Sequence, residues 1–90
     1  MKRLSVVISG RVQGVGFRYF LRSQARALGL CGWVQNTPEN TVESVAEGPQ
    51  AALDEFLKCC RKGPLFARVE DVLAEWEGAT KEFTQFDILR

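Results

Sequence analysis

Residues 10–18 read GRVQGVGFR and join two segments that differ in their hydrophobic period. Residues 4–9, which precede the stretch, are apolar and rich in Val and Ile, and this predicts a short β-strand. In residues 17–28, apolar side chains recur every three or four positions until Gly29, and this predicts an amphipathic helix. The quoted stretch is therefore a strand-to-helix loop that contains two closely spaced glycines and ends on an arginine.

The rest of the chain continues the alternation of strands and helices. The predicted elements are a strand at 31–36, a turn at 37–40, a strand at 41–47, a helix that opens at Gly48-Pro49 and stops at Gly63-Pro64, a strand at 68–77 and a short strand at 86–89. This order matches the split βαβ, or ferredoxin-like, arrangement of an α+β protein, in which an antiparallel sheet carries two helices on one face. We expect the second strand to lie at an edge of that sheet, with its far end near the glycine loop.

Length and charge narrow the classes of protein to which the chain can belong. A chain of 90 residues that starts at Met1 and ends after its last strand is expected to form one complete domain, residues 1–90. Its 12 Lys and Arg against 11 Asp and Glu give a net charge of +1, so neither nucleic acid nor an anionic membrane is an expected partner. No apolar run is long enough for a signal peptide or a membrane span, and nothing calls for an oligomer, so we expect a cytoplasmic monomer.

The inventory of reactive side chains is small. The chain has no histidine, which removes the commonest general base, the Ser-His and Cys-His nucleophile systems and most zinc sites. Cys31 stands alone and Cys59 adjoins Cys60, so they form neither a disulfide framework nor a CxxC metal motif, and small hydrophobic packing roles are expected. Any chemistry must come from other groups, and no cofactor or metal is expected.

The glycine loop admits two interpretations. One is a plain strand-to-helix turn with Arg18 on the surface, and the glycines alone favour it because glycine-rich motifs often match by chance. The other is an anion cradle, because the first amides of a helix lack partners, glycines allow close approach of a ligand, and arginine offers two parallel donors. Nucleotide motifs do not fit, because a GxGxxG motif starting at Gly14 would need glycine where Tyr19 stands, and no Lys-Ser/Thr pair completes a P-loop.

A second polar motif, GWVQN, ends on Asn36 at the close of the predicted second strand. Asn36 could simply initiate the following turn, since asparagine readily bonds the backbone there. Alternatively, its neutral carboxamide could orient a water molecule with both a donor and an acceptor. The residues alone leave both roles open.

Taken together, GRVQGVGFR and GWVQNT at this spacing resemble the acylphosphatase family. The resemblance continues through VESVAEGP, FLKCCRKGP, ARVEDV and FDILR, and so covers the chain from about residue 4 to residue 90. It implies the ferredoxin-like fold and the metal-independent hydrolysis of acyl phosphates to a carboxylate and inorganic phosphate. It places the family's catalytic arginine on Arg18 and its catalytic asparagine on Asn36. It also implies that phosphate is held by the backbone amides of Gln13, Gly14, Val15, Gly16, Phe17 and Arg18.

Two alternatives remain at this point. A binding module of the same fold could hold phosphate, or an acyl or carbamoyl phosphate, without turning it over. An RNA-binding module is disfavoured by the near-neutral charge and by the lack of an RNA-recognition signature. The aromatic side chains that suggest base stacking are instead expected to pack in the core: Tyr19, Phe20, Trp33, Phe56 and Trp76.

The remaining charged groups receive no chemical role. Glu43, Glu47, Glu70 and Asp71 are scattered along the sequence. The terminal carboxylate of Arg90 could form an ion pair with Arg18, but the sequence does not place it.

Overall fold

Within residues 1–89, which are the residues that the computed structural model describes, two helices and five strands follow one another in the predicted order. The suggested contact of Arg90 lies outside the described residues. The elements are β1 (Lys2–Arg11), α1 (Phe17–Ala27), β2 (Cys31–Asn36), β3 (Val42–Gly48), α2 (Gln50–Lys62), β4 (Arg68–Gly78) and β5 (Phe86–Ile88). They confirm the ferredoxin-like fold class.

The strands form one sheet in the order β4-β1-β3-β2-β5. Strands β1 and β2 are both antiparallel to β3, so they run in the same direction and end at the same edge of the sheet. This common edge is the one to which the glycine loop belongs, and we call it the loop edge.

Two expectations about the sheet are wrong. The sheet is mixed rather than antiparallel, because β5 pairs with β2 in parallel, and β2 is therefore an inner strand rather than an edge strand. Both differences have one cause. The connection at residues 79–85 crosses from β4 at one side of the sheet to the other side, so β5 re-enters in the direction of β2.

Both helices cover the same face of the sheet, and the core lies between them and the strands. Alternate β1 residues Leu4, Val6 and Ile8 are fully buried there. Helix α1 packs mainly against β2 and β5, whereas α2 packs mainly against β1 and β4. The two helices thus lie side by side over opposite halves of the sheet.

Core packing of the aromatic residues is confirmed only in part. Phe56 is fully buried and contacts Phe86 edge to face, with 5.7 Å between ring centroids. Tyr19 is 52% exposed on the outside of α1, and Trp76 is 40% exposed because β4 is an edge strand. Trp33 is half-buried and does not join the core cluster, because odd-numbered β2 residues point away from the helices.

The crossing connection is held by a buried carboxylate. Glu47, 7% exposed, accepts hydrogen bonds from the backbone N–H of Thr80 (2.8 Å) and of Lys81 (2.9 Å) and from Oγ1 of Thr80 (3.0 Å). Nε of Arg3 lies 3.3 Å from the same carboxylate. Burial alone would raise the pKa of Glu47, but these bonds and the Arg3 charge outweigh it and hold the pKa below its ordinary value of 4.5.

This lowered pKa predicts how stability depends on acidity. A carboxylate whose pKa is lower in the folded chain contributes stability above its unfolded pKa, and the contribution is lost as the pH falls through the folded pKa. We therefore expect Glu47→Gln to be less stable than the wild type at pH 7 and to lose less stability between pH 5 and pH 3. Urea denaturation midpoints across this range measure both effects, with Glu75→Gln on exposed β4 as the control. An acid-dependent loss in Glu47→Gln as large as in the wild type would contradict the prediction.

Candidate active site

The loop between β1 and α1 turns sharply because two glycines adopt a left-handed backbone. Gly14 has φ +74° and Gly16 has φ +78°, values that other residues rarely adopt. A Cβ atom on either glycine would meet nothing within 4 Å, so backbone conformation rather than crowding requires glycine here. The loop therefore curves around open space at the N-terminus of α1.

The backbone N–H groups of this curve are available to a ligand. Within residues 1–89, the amides of residues 13–18 donate to no backbone or side-chain acceptor. Gly16 is the N-cap of α1 and supplies no side-chain cap, and the first turn holds no acidic residue. Six successive donors without protein acceptors thus adjoin the uncompensated positive end of the helix, a combination that suits an anion.

Arg18 adds a full positive charge in the first turn of α1. This position is unfavourable for an arginine by about 0.3 to 1 kcal/mol, because it places like charges together, and a bound anion would remove the penalty. Arg26 lies two turns further along the same face, and its Nε donates to the Phe86 carbonyl oxygen at 3.2 Å. Arg26 thus contacts β5, and Arg18 lies on the same side of α1.

Asn36 lies at the loop edge on the helix-bearing face. It pairs with Val42 of β3, and Val42 in turn pairs with Ile8 of β1. Val42 and Ile8 are fully buried beneath the helices, and directly paired residues point to the same face of a sheet, so Asn36 also points to that side. Asn36 therefore lies on the face of the sheet that α1 covers, at the edge from which the glycine loop leaves.

The side chain of Gln13, whose role the sequence did not predict, ties the glycine loop to the turn that follows Asn36. Nε2 of Gln13 donates to the carbonyl oxygens of Thr37 and Thr41, each at 2.9 Å. The two threonine hydroxyls lie 2.6 Å apart across the turn that follows Asn36. The glycine loop is thereby fixed against the β2–β3 turn. The sequence offers one signal for this contact, the two threonines on either side of Pro38-Glu39-Asn40. Taken by themselves, these residues indicate only a turn.

If the loop and Asn36 act on one substrate, as the family resemblance implies, loss of this tie should disturb catalysis more than folding. We then expect Gln13→Ala to lower kcat about tenfold, because misplacement by about an ångström is costly when two groups must act together. Thermal unfolding should change little, since Gln13 is only half-buried and its partners remain open to water. Steady-state rates with benzoyl phosphate test this, and an unchanged kcat would show that the loop holds its alignment without the tie.

The site combines neutral and cationic groups only. Backbone amides, a guanidinium and a carboxamide can together bind and stabilise a phosphoryl group, whose charge lies on its oxygens. Elsewhere in the described range 1–89, no three His, Cys, Asp or Glu side chains come together as a metal site would require. In the same range no helix is long and apolar enough to cross a membrane.

The fold and the loop together define a small ferredoxin-like protein in which, among the described residues, a run of amides without protein acceptors lies at a strand-to-helix junction. A sequence model of the acylphosphatase family matches residues 4–88. An acylphosphatase of Methylococcus capsulatus is 47% identical over 90 residues, which cover 100% of this chain and 98% of that protein. One of Salinibacter ruber is 46% identical over 89 residues, covering 99% and 94%. The crystal structure of acylphosphatase from Bacillus subtilis superimposes with a TM-score of 0.96 at 37% identity, covering 100% of both chains.

The chain therefore belongs to the acylphosphatase family and is an enzyme of that class. The family resemblance drawn from the two motifs is confirmed. The particular residues assigned to catalysis stay predictions.

Proposed function

We propose that the protein hydrolyses acyl phosphates with Arg18 and Asn36 as its catalytic residues and with the amides of residues 13–18 as its phosphate cradle. The observation that carries the proposal is the run of six amides without protein acceptors beside Arg18, at the edge of the sheet where Asn36 ends β2. An arrangement of donors alone suits a phosphoryl group, whose transition state spreads negative charge over three oxygens.

In this mechanism the cradle and Arg18 hold the phosphoryl oxygens and stabilise their charge. Asn36 orients a water molecule for attack on phosphorus. The water oxygen bonds to phosphorus while the bond from phosphorus to the acyl oxygen breaks. The electron pair of the broken bond leaves with the carboxylate. A phosphoryl oxygen takes the water's proton, so the products are a carboxylate and inorganic phosphate.

This reaction needs neither a histidine nor a general acid. The leaving carboxylate has a conjugate acid with a pKa of about 4, so it departs without being protonated. Charge neutralisation by Arg18 and the amides supports a reaction that requires no metal ion. We further propose that the chain acts as a single-domain cytoplasmic monomer on acyl phosphates that are small molecules, rather than on nucleic acid, in line with its near-neutral charge.

The second candidate is a module that binds phosphate or an acyl or carbamoyl phosphate without turnover. A binder would need the amides and Arg18 but no group that orients an attacking water molecule. The placement of Asn36 on the helix-bearing face at the loop edge therefore favours hydrolysis.

Hydrolysis of benzoyl phosphate with and without EDTA tests the proposal. We expect saturable turnover that EDTA does not lower, with inorganic phosphate as a competitive inhibitor. Competitive binding of phosphate without turnover would support the binding module instead, and turnover lost in EDTA would contradict the metal-independent mechanism.

A further inference from the structure

An apolar pocket lies beside the proposed phosphate cradle and takes no part in the mechanism so far. Its volume is about 530 Å³, and it is lined by Phe20, Lys62, Gly63, Pro64, Leu65 and Ala67. Most of these residues belong to the α2–β4 loop. Of the lining residues Leu65 is 87% exposed, and Phe66, which follows it in the loop, is 73% exposed.

The pocket borders Phe17, the residue at which the loop enters α1. A Cβ atom on Gly63 would lie 2.8 Å from the ring of Phe17, the residue whose amide belongs to the cradle. The Phe17 ring in turn meets the pocket residue Phe20 edge to face, with 6.2 Å between ring centroids. The pocket and the cradle thus share the first turn of α1.

The leaving group of the proposed reaction is expected to depart toward this pocket. In an in-line displacement the attacking water and the leaving group lie on opposite sides of phosphorus. Asn36, which would hold the water, ends β2, and the sheet order places β4 beyond β1, on the side away from β2. The α2–β4 loop leads into β4, so the leaving acyl group would depart toward it.

The contacts of α1 agree with this assignment of sides. Its arginine face looks toward β5, where Arg26 meets the Phe86 carbonyl oxygen. Its opposite side looks toward α2, where Oε1 of Gln24 lies 3.7 Å from the Cys59 thiol. Phe20 lies one turn before Gln24 on that same side. The polar and apolar halves of the site therefore flank α1 on two sides.

We propose that the pocket binds the acyl group of the substrate and that the preferred substrates are acyl phosphates with an extended apolar acyl chain. The inference rests on the proposed function, since it assigns the acyl half of the same site. The Leu65 and Phe66 side chains shield the acyl chain from water, and the stem of Lys62 lines the wall while its ammonium group reaches solvent.

A series of acyl phosphates of increasing length tests the inference. We expect kcat/KM of the wild type to rise at least tenfold from acetyl to octanoyl phosphate, mainly through KM, because part of the added chain leaves water on binding. In the double variant Leu65→Ser/Phe66→Ser the rise should shrink to about twofold, with acetyl phosphate hydrolysed at nearly the wild-type rate. Both residues are exposed, so the fold should tolerate the changes, and unfolding midpoints verify this.

Leu73→Ser provides the matched control. Leu73 is 63% exposed on β4 and points to the face of the sheet without helices. This variant should keep the full dependence on chain length. An equal loss in Leu73→Ser, or no rise with length in the wild type, would overturn the pocket assignment alone. Failure of the wild type to hydrolyse even acetyl phosphate would overturn the proposed function and the inference with it.

Discussion

Replacing Arg18 with lysine is expected to lower kcat for benzoyl phosphate by about 10² to 10³-fold, although the positive charge is kept. A guanidinium offers planar, paired N–H donors that match two phosphoryl oxygens, whereas an ammonium is a compact point charge on a flexible stem. Much of the stabilisation in the transition state should therefore be lost.

The conservative variant Arg22→Lys is the control for this experiment. Arg22 lies one turn further along α1, with its guanidinium carbon 5.2 Å from the centroid of the Tyr19 ring. It carries the same charge on the same helix, and the mechanism assigns it no role, so kcat should stay within about twofold. If Arg18→Lys kept most of its activity, the charge alone would suffice and the two-pronged contact would be wrong.

Much of the fold could be predicted from local patterns in the sequence. Strand β2 has the predicted bounds, and α1 begins and ends where the glycines indicate, because Gly16 and Gly29 both adopt a left-handed backbone. The relative directions of the strands could also be predicted. Once β1 and β2 pair with the same strand, their ends share an edge, and this brings Asn36 to the side of the glycine loop.

The parts that the sequence did not reveal depend on contacts between distant residues. The position of β5 follows from the crossing connection, which Glu47 holds through partners 33 and 34 residues away. Nothing in the residues around Glu47 distinguishes it from the other scattered carboxylates. The tie from Gln13 to Thr37 and Thr41 spans 24 and 28 residues and was hidden for the same reason.

Burial was predicted wrongly where an alternating pattern lies on a strand that neighbouring elements do not fully cover. Val72, Ala74 and Trp76 alternate correctly on β4, but β4 is an edge strand, so Trp76 remains partly exposed. The exposed Leu65 and Phe66 fit no helical or strand period, so no sequence pattern marks them. The proposed acyl pocket therefore could not be predicted from the sequence, whereas specific motifs indicated the proposed cradle, Arg18 and Asn36.

Asn36→Ala is expected to separate catalysis from phosphate binding. We expect kcat for benzoyl phosphate to fall about 10²-fold, comparable with the loss of a single positioned polar group in other active sites. The inhibition constant of inorganic phosphate should change less than about threefold, because the amides and Arg18 remain to hold the anion. A water molecule without its carboxamide partner would still be present but would seldom lie in line with the leaving group.

The neighbouring residue provides a stringent control for this variant. Gln35 precedes Asn36 on the same strand but points to the opposite face, where its Nε2 donates to Glu43 at 2.9 Å. Gln35→Ala should therefore leave kcat and phosphate inhibition unchanged. If Asn36→Ala instead weakened phosphate inhibition and left kcat intact, Asn36 would be a ligand of the phosphoryl group. Another group would then have to orient the water molecule. The direction of its attack would have to be assigned again, and the assignment of the acyl pocket depends on that direction.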